Sequence, residues 1–298
     1  MTDEIPPRHR PVMPEAVVRF LVQRPGGVFV DATVGAGGHS RALLAAAGPT
    51  ARLVALDRDP AALVVAAESL REFAAAVMFR RGRFDELDAA LDALGVPQVD
   101  GALFDLGVSS MQLDTAARGF GFQADGPLDM RMDPSQPLTA AALVNHASEG
   151  ELADLIARCG QERWARRIAR RLVQDRPITT TAALAACVVR ALPRGRAWQR
   201  LHPATRTFQA LRITVNQELD ALAAAIPQGI RRLRPGARIA VLAYHSLEDR
   251  IVKQAFRQAA AAGTLAVLTR RPLRPDPDEV RANPRSRSAC LRVGERLA

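Results

Sequence analysis

Val28-Phe29-Val30-Asp31-Ala32-Thr33-Val34-Gly35-Ala36-Gly37-Gly38-His39-Ser40, then an alanine-rich stretch, then Arg52-Leu53-Val54-Ala55-Leu56-Asp57-Arg58-Asp59, is the run that decides the fold. An apolar strand ends in a glycine loop, a helix follows, and a second strand ends in an acid. In open α/β sheets, ligands bind at the carboxyl ends of the strands, and the loop after the first strand lets backbone N–H groups approach them. Gly35, Gly37 and Gly38 offer backbone without a Cβ for that approach. Asp57 lies 22 positions after Gly35, where a carboxylate can accept both hydroxyls of an adenosine ribose. The run predicts a nucleoside-type cofactor.

The loop departs from the dinucleotide fingerprint G-x-G-x-x-G, because its third glycine is Ser40. Asp31, at the end of the first strand, would repel a pyrophosphate but suits a cationic amino group or a sulfonium. Both departures favour S-adenosylmethionine over NAD.

The 298 residues suffice for one large or two ordinary domains, and 48% hydrophobic content makes the chain globular. Asp3 and Glu4 near the N-terminus, with no apolar stretch after them, argue against a signal peptide. No apolar run reaches the roughly 18 residues of a membrane span, so no membrane partner and a cytoplasmic location are expected. Cys159, Cys187 and Cys290 are scattered and odd in number, which fits buried thiols in a reducing compartment. The histidines lack ligand spacing as well. No metal is expected.

Charge divides the chain. Residues 1–150 hold 13 basic and 19 acidic side chains, net −6; residues 151–212 hold 13 and 4, net +9; residues 213–298 hold 15 and 8, net +7. Lys253 is the single lysine among 41 basic residues. Arginine presents a planar fork that fits phosphate and stacks on bases. A basic region beside an acidic cofactor half predicts a nucleic-acid substrate. A GC-rich genome would explain arginine over lysine, but not the clustering.

Strands are expected at about 28–33, 52–57, 76–81 and 99–105, with helices between them at about 39–47, 60–73 and 86–94. That repeated βα unit means a parallel sheet. From about 113 to 210 the pattern is helical: 139–145, 149–158, 161–174, 180–191 and 203–223. Strand signals resume at 238–244, 265–268 and 290–293. The simplest account is one α/β domain, residues 1–112 and 213–298, with an all-helical insertion, residues 113–212, between its fourth and fifth strands.

Within the insertion, Arg163, Arg166, Arg167, Arg170 and Arg171 share one helical face, with Trp164, Ile168 and Leu172 opposite. Such a stripe is either a solvated face or a phosphate-contact surface, and the crowding of like charges favours contact. Arg194 and Arg196 lie in a loop with Trp198, a mixture that suits stacking and phosphate contact with single-stranded RNA, though Trp198 could equally anchor a core.

Two strand ends carry the chemistry. Asp105 closes the fourth strand, where a carboxylate could accept the N–H bonds of an exocyclic amine, localise its lone pair and help remove a proton; the alternative is a capping aspartate. In Tyr244-His245-Ser246-Leu247-Glu248-Asp249-Arg250, Ser246 and Asp249 resemble a capping box. His245 is placed within reach of Asp105, as a catalytic or a structural residue.

These segments together resemble the RsmH (MraW) family of methyltransferases. The resemblance rests on Asp31-Ala32-Thr33 through Gly37-Gly38-His39-Ser40, Ala55-Leu56-Asp57-Arg58-Asp59-Pro60, Asp105-Leu106-Gly107-Val108-Ser109-Ser110 and Asp125-Gly126-Pro127-Leu128-Asp129-Met130-Arg131-Met132. It continues through Gly160-Gln161-Glu162-Arg163, His202-Pro203-Ala204-Thr205-Arg206-Thr207-Phe208, His245-Ser246-Leu247-Glu248-Asp249-Arg250 and Asn283-Pro284-Arg285-Ser286-Arg287-Ser288. It implies a class I S-adenosylmethionine-dependent methyltransferase (Rossmann-like) domain with a helical insertion. The implied activity is methylation of the N4 amine of a cytosine in the decoding region of 16S rRNA, within the small (30S) ribosomal subunit. Implied cofactor contacts are Gly37, Gly38, His39, Asp57, Phe84, Asp105 and Gln112. The chain departs from the family at Met111, where proline usually precedes that glutamine. The 125–132 segment could be a substrate loop or a clamp between domains. Competing readings are an NAD-dependent oxidoreductase, and a non-enzymatic RNA-binding or ribosome-assembly protein with a relic pocket.

Overall fold

The computed structural model describes residues 11–193 and 202–298, which form two compact units: Met1–Gly107 with Leu219–Ala298, and Val108–Glu218, where the sequence reading put 113–212. Arg194 and Arg196 lie outside the described residues.

The first unit is built on seven strands: β1 (Val28–Asp31), β2 (Arg52–Asp57), β3 (Val77–Arg81), β4 (Val99–Asp105), β5 (Leu233–Ala243), β6 (Leu265–Val267) and β7 (Cys290–Arg296). Their order is β3-β2-β1-β4-β5-β7-β6. β1 to β5 run parallel, and β7 returns antiparallel to both β5 and β6. The central strands are apolar on both faces, as a parallel sheet covered on both sides requires.

Alternation divides their side chains. Val30, Val54, Leu56, Ala102, Phe104, Ile239 and Val241 join one core. Phe29, Leu53, Ala55, Leu103, Ala240 and Leu242 join the other. The first core is closed by α4 (Leu87–Ala93), α11 (Glu218–Arg232) and α12 (Ser246–Ala261). The second is closed by α1 (Pro14–Leu21), α2 (Gly38–Ala47) and α3 (Pro60–Ser69). By the same parity Asp31, Asp57 and Asp105, which end their strands, belong to the α2 face. β1 lies between β2 and β4, the place where the strand order reverses and where such sheets bind ligands.

Between β4 and β5 the described residues hold helices and one isolated bridge, Pro127 to Thr180. Before α11, which leads into β5, these helices are α5 (Ser110–Asp114), α6 (Ala140–His146), α7 (Glu149–Gly160), α8 (Ala165–Gln174), α9 (Thr181–Ala191) and α10 (Thr205–Asn216). Leu152, Ile156, Ile168, Leu172, Leu184, Val188, Phe208 and Leu211 form a core belonging to this second unit alone.

Two sequence expectations need correction here. The helix expected over 203–223 is two helices, broken at Gln217, whose φ is 52°. The buried Asn216 side chain accepts from Met132 N at 2.8 Å and donates to Met130 O at 2.7 Å, so tertiary bonds end the helix where propensity would continue it. The helix expected from 161 starts at Ala165, because Gln161 adopts the left-handed conformation that closes α7.

The 125–132 segment is wired within this unit. Asp125 accepts from Ala182 N at 2.9 Å, at the start of α9, and Arg118 donates to the carbonyls of Arg131 and Met132 at 2.9 Å. A Cβ at Gly126 would stand 2.0 Å from Ala116 O, so the close approach needs glycine. A structural clamp of the helical unit is what these bonds describe.

Candidate active site

The loop leaving β1 is held by three strand-end acids. Asp31 is 1% exposed; it accepts from Ser40 Oγ at 2.7 Å and from Thr33 N at 3.1 Å. Asp57 accepts from Gly35 N and Asp59 N, both at 2.9 Å, which fixes the glycine loop to the end of β2. The Thr33 hydroxyl accepts from Asp105 N at 2.7 Å, tying the same loop to β4. Gly37, at φ 81°, precedes α2 with no side chain capping the helix. The first N–H groups of α2 are thus available to a bound anion.

Asp105 is held from two sides. Tyr244 Oη donates to its Oδ1 at 2.7 Å, and His39 Nε2 stands 3.4 Å from its Oδ2. His39 is 6% exposed; its Nε2 has only the 3.4 Å contact to Asp105, and its Nδ1 has no hydrogen-bond partner among the described residues. A buried polar group without a partner costs stability, so the unpartnered Nδ1 marks a place where a ligand can bind. Burial opposes its charged form, but Asp105, then Asp31 and Glu279, outweigh burial and raise its pKa above the usual histidine value. Burial pushes the Asp31 carboxyl up to about 6, against the Ser40 bond, the His39 charge and the Thr33 N–H. Burial also raises Asp57, although the Asp59 and Gly35 N–H groups offset part of it. Tyr244 is raised well above its ordinary value by burial and by the Asp105 charge.

His245 does not face Asp105. Its Nδ1 accepts from Glu248 N at 3.3 Å and its Nε2 lies 3.2 Å from Glu248 Oε1. Parity explains the difference: Tyr244 packs against the core shared by Leu242, on the side of Asp105, and the next residue of an extended segment points to the other face. The capping box is likewise His245 with Glu248, not Ser246 with Asp249. Asp249 instead accepts from Arg292 Nε at 2.6 Å.

The remaining residues are more dispersed. Gly38 opens α2, and a Cβ there would stand 3.2 Å from the Pro11 ring. Phe84 begins a turn after β3, half-buried, edge-on to Phe104 with centroids 6.3 Å apart. Gln112 belongs to the second unit, where its side chain accepts from Ser109 N at 3.1 Å in the capping box of α5. In that unit Arg166 and Arg167 are exposed on α8, Arg170 faces Glu149 at 3.5 Å, and Arg171 pairs with Asp175 at 2.9 Å. Arg163 precedes the helix, over the Trp164 ring. Sequence reasoning missed Tyr244 and Thr33. The signal for the first was available: it is the single tyrosine, two residues past Leu242, which pairs with Asp105.

The MraW methylase family model matches residues 7–297. The chain belongs to this family. It is 49% identical to the ribosomal RNA small subunit methyltransferase H of Trichlorobacter lovleyi, over 97% of this chain and 98% of that protein. The proteins of the same name from Geobacter sulfurreducens and Cyanothece sp. are 50% and 52% identical, over 97% of this chain and 99% and 95% of theirs. In this MraW methylase the strand-end acids lie on the seven-stranded sheet, and the helices of residues 108–218 come between β4 and β5 in the chain.

Proposed function

We propose that this chain methylates the exocyclic N4 of a cytosine in 16S rRNA, in the decoding region of the small subunit, using S-adenosylmethionine. The observation that carries the reading is the Asp105 carboxylate, held by Tyr244 and His39 beside an uncapped glycine loop at the point where strand order reverses. The residues fit the cofactor: the unpartnered His39 Nδ1 and the uncapped first N–H groups of α2 supply polar contacts, and Asp57 supplies an acceptor for ribose. Phe84 is apolar and half-buried after β3, in a position to cover the adenine, and buried Asp31 offers a negative charge to the methionine end. When bound, the cofactor supplies a methyl group on a sulfonium.

Asp105 then does the protein's share. A cytosine amine is a weak nucleophile because its lone pair is delocalised into the ring. A carboxylate has about four acceptor sites, of which Tyr244 and His39 engage two. Those left over accept N4–H, localise the lone pair, and receive the proton released after transfer. Tyr244 and His39 hold the carboxylate in one orientation, which in-line displacement demands.

We assign Arg163, Arg166, Arg167 and Arg170 of the helical unit to phosphate contact, with Arg194 and Arg196 as further candidates. Substrate recognition is thereby given to the inserted unit. Among the described residues no helix is long and apolar enough to cross a membrane, and we place the enzyme in the cytoplasm, acting on the small subunit. The test is methyl transfer from labelled cofactor to small subunits purified from a strain lacking this gene, with the product nucleoside identified by mass spectrometry. N4-methylated cytidine at one position is expected. Label in another base, or none on either subunits or free 16S rRNA, would overturn the proposal.

A further inference from the structure

The basic residues of the last part of the chain have no role in the site described above. Six arginines, Arg270, Arg271, Arg274, Arg281, Arg285 and Arg287, lie between β6 and β7, and all six are exposed. Pairing places this connection at the pocket end of the sheet. Cys290, the first residue of β7, pairs with Ala243, the last of β5, and Leu273 bridges Leu291. The segment therefore enters the sheet one residue from Tyr244, whose hydroxyl binds Asp105. It is also fastened to the cofactor side: Glu279 accepts from Met13 N at 2.6 Å, and Pro11, two residues before Met13, lies against Gly38.

The acids of the segment are already engaged. Asp276 accepts from Glu279 N at 2.7 Å, Asp278 pairs with Arg281, and Glu279 holds Met13. Arg270, Arg271 and Arg287 have no carboxylate partner among the described residues. Uncompensated arginines crowded on one rim repel each other, and an anion relieves the repulsion.

We propose that the β6–β7 connection is a second phosphate-binding surface for the RNA substrate, on the rim of the catalytic unit itself. This rests on the reading of the chain as an rRNA methyltransferase. A pocket that must receive one base benefits from gripping the backbone on either side of it, because phosphate contacts set register while the pocket selects the base. Arginine forks suit that grip better than lysine would.

The experiment measures binding of the full chain to a 16S rRNA transcript against salt concentration, for wild type and for Arg270→Ser/Arg271→Ser/Arg287→Ser. Folding is checked by circular dichroism and by calorimetric binding of S-adenosylmethionine. The slope of log affinity against log salt should flatten by up to about 2 units, with affinity lower by on the order of tenfold at moderate salt. The triple lysine variant, which keeps the charge, should recover most of the slope. A serine variant that binds cofactor and keeps the wild-type slope and affinity would overturn this surface while leaving the methyltransferase reading intact. Wild-type protein that transfers no methyl group to rRNA and binds it without salt dependence would overturn both.

Discussion

Asp31 is a fully buried carboxylate whose folded-state pKa, about 6, stands above its ordinary 3.8. Between those values the native state binds more protons at this group than the unfolded one, so the contribution of Asp31 to stability is greatest below about pH 4 and is lost as pH rises through 6. The difference corresponds to about 3 kcal/mol once the group is ionised. Asp31→Asn is therefore expected to raise the melting temperature at pH 7 and to flatten its pH dependence between 4 and 6, while weakening binding of a cationic cofactor. Equal pH dependence in both proteins would show that Asp31 does not carry this penalty. Asp57→Ala removes a charged acceptor worth roughly 1.5–3 kcal/mol, so cofactor should bind about 10- to 150-fold more weakly in calorimetry. At Asp105, Asn substitution should lower the single-turnover rate with saturating cofactor by on the order of 10²–10⁴. Tyr244→Phe removes one positioning bond and should cost on the order of tenfold, with cofactor affinity unchanged. Near-normal turnover by Asp105→Asn would move the proton acceptor elsewhere. The acids at the strand ends were readable in the sequence because their positions follow from strand parity. The partner of Asp105 was misread for want of that parity: His245 was one residue out of phase and Tyr244 was in phase.

At the scale of elements, the βα rhythm was legible because each strand of the sheet is a short apolar run between turn residues, and β2 and β4 coincide with the expected ranges. What the sequence concealed were features set by contacts distant in the chain. The break at Gln217 depends on Asn216 bonding to Met130 and Met132, more than 80 residues away. The cap of α12 depends on Glu248, which accepts from Tyr244 N at 2.8 Å and leaves Ser246 unused as the cap. The α8 stripe was legible as a face, since Ile168 and Leu172 are buried opposite the exposed Arg166 and Arg167. Its charge is partly compensated by Glu149 and Asp175. Replacing Arg163, Arg167 and Arg170 should flatten the salt slope of RNA binding by up to about 2 units, with cofactor affinity unchanged. A slope equal to wild type would make the stripe a solvated face.

Over the whole molecule, charge follows the division of labour. The acidic first 150 residues carry the cofactor loop, while one arginine cluster lies on α8 in one unit and another on the β6–β7 connection in the other. Counterion release counts phosphates wherever they are neutralised, so contacts made by separate elements add in the salt slope. The two arginine sets share no side chain and lie in different units. Their replacements should therefore combine almost additively, as independent sites do. Removing Arg163, Arg167 and Arg170 together with Arg270, Arg271 and Arg287 should flatten the slope by up to about 4 units, twice the effect of either set alone. If the combined variant behaves like one triple variant, only one of the two surfaces binds RNA, and the triple variant that alone changes the slope identifies it. If the loss exceeds the sum, one surface must order the RNA before the other can engage, and the two act as a single clamp on the substrate.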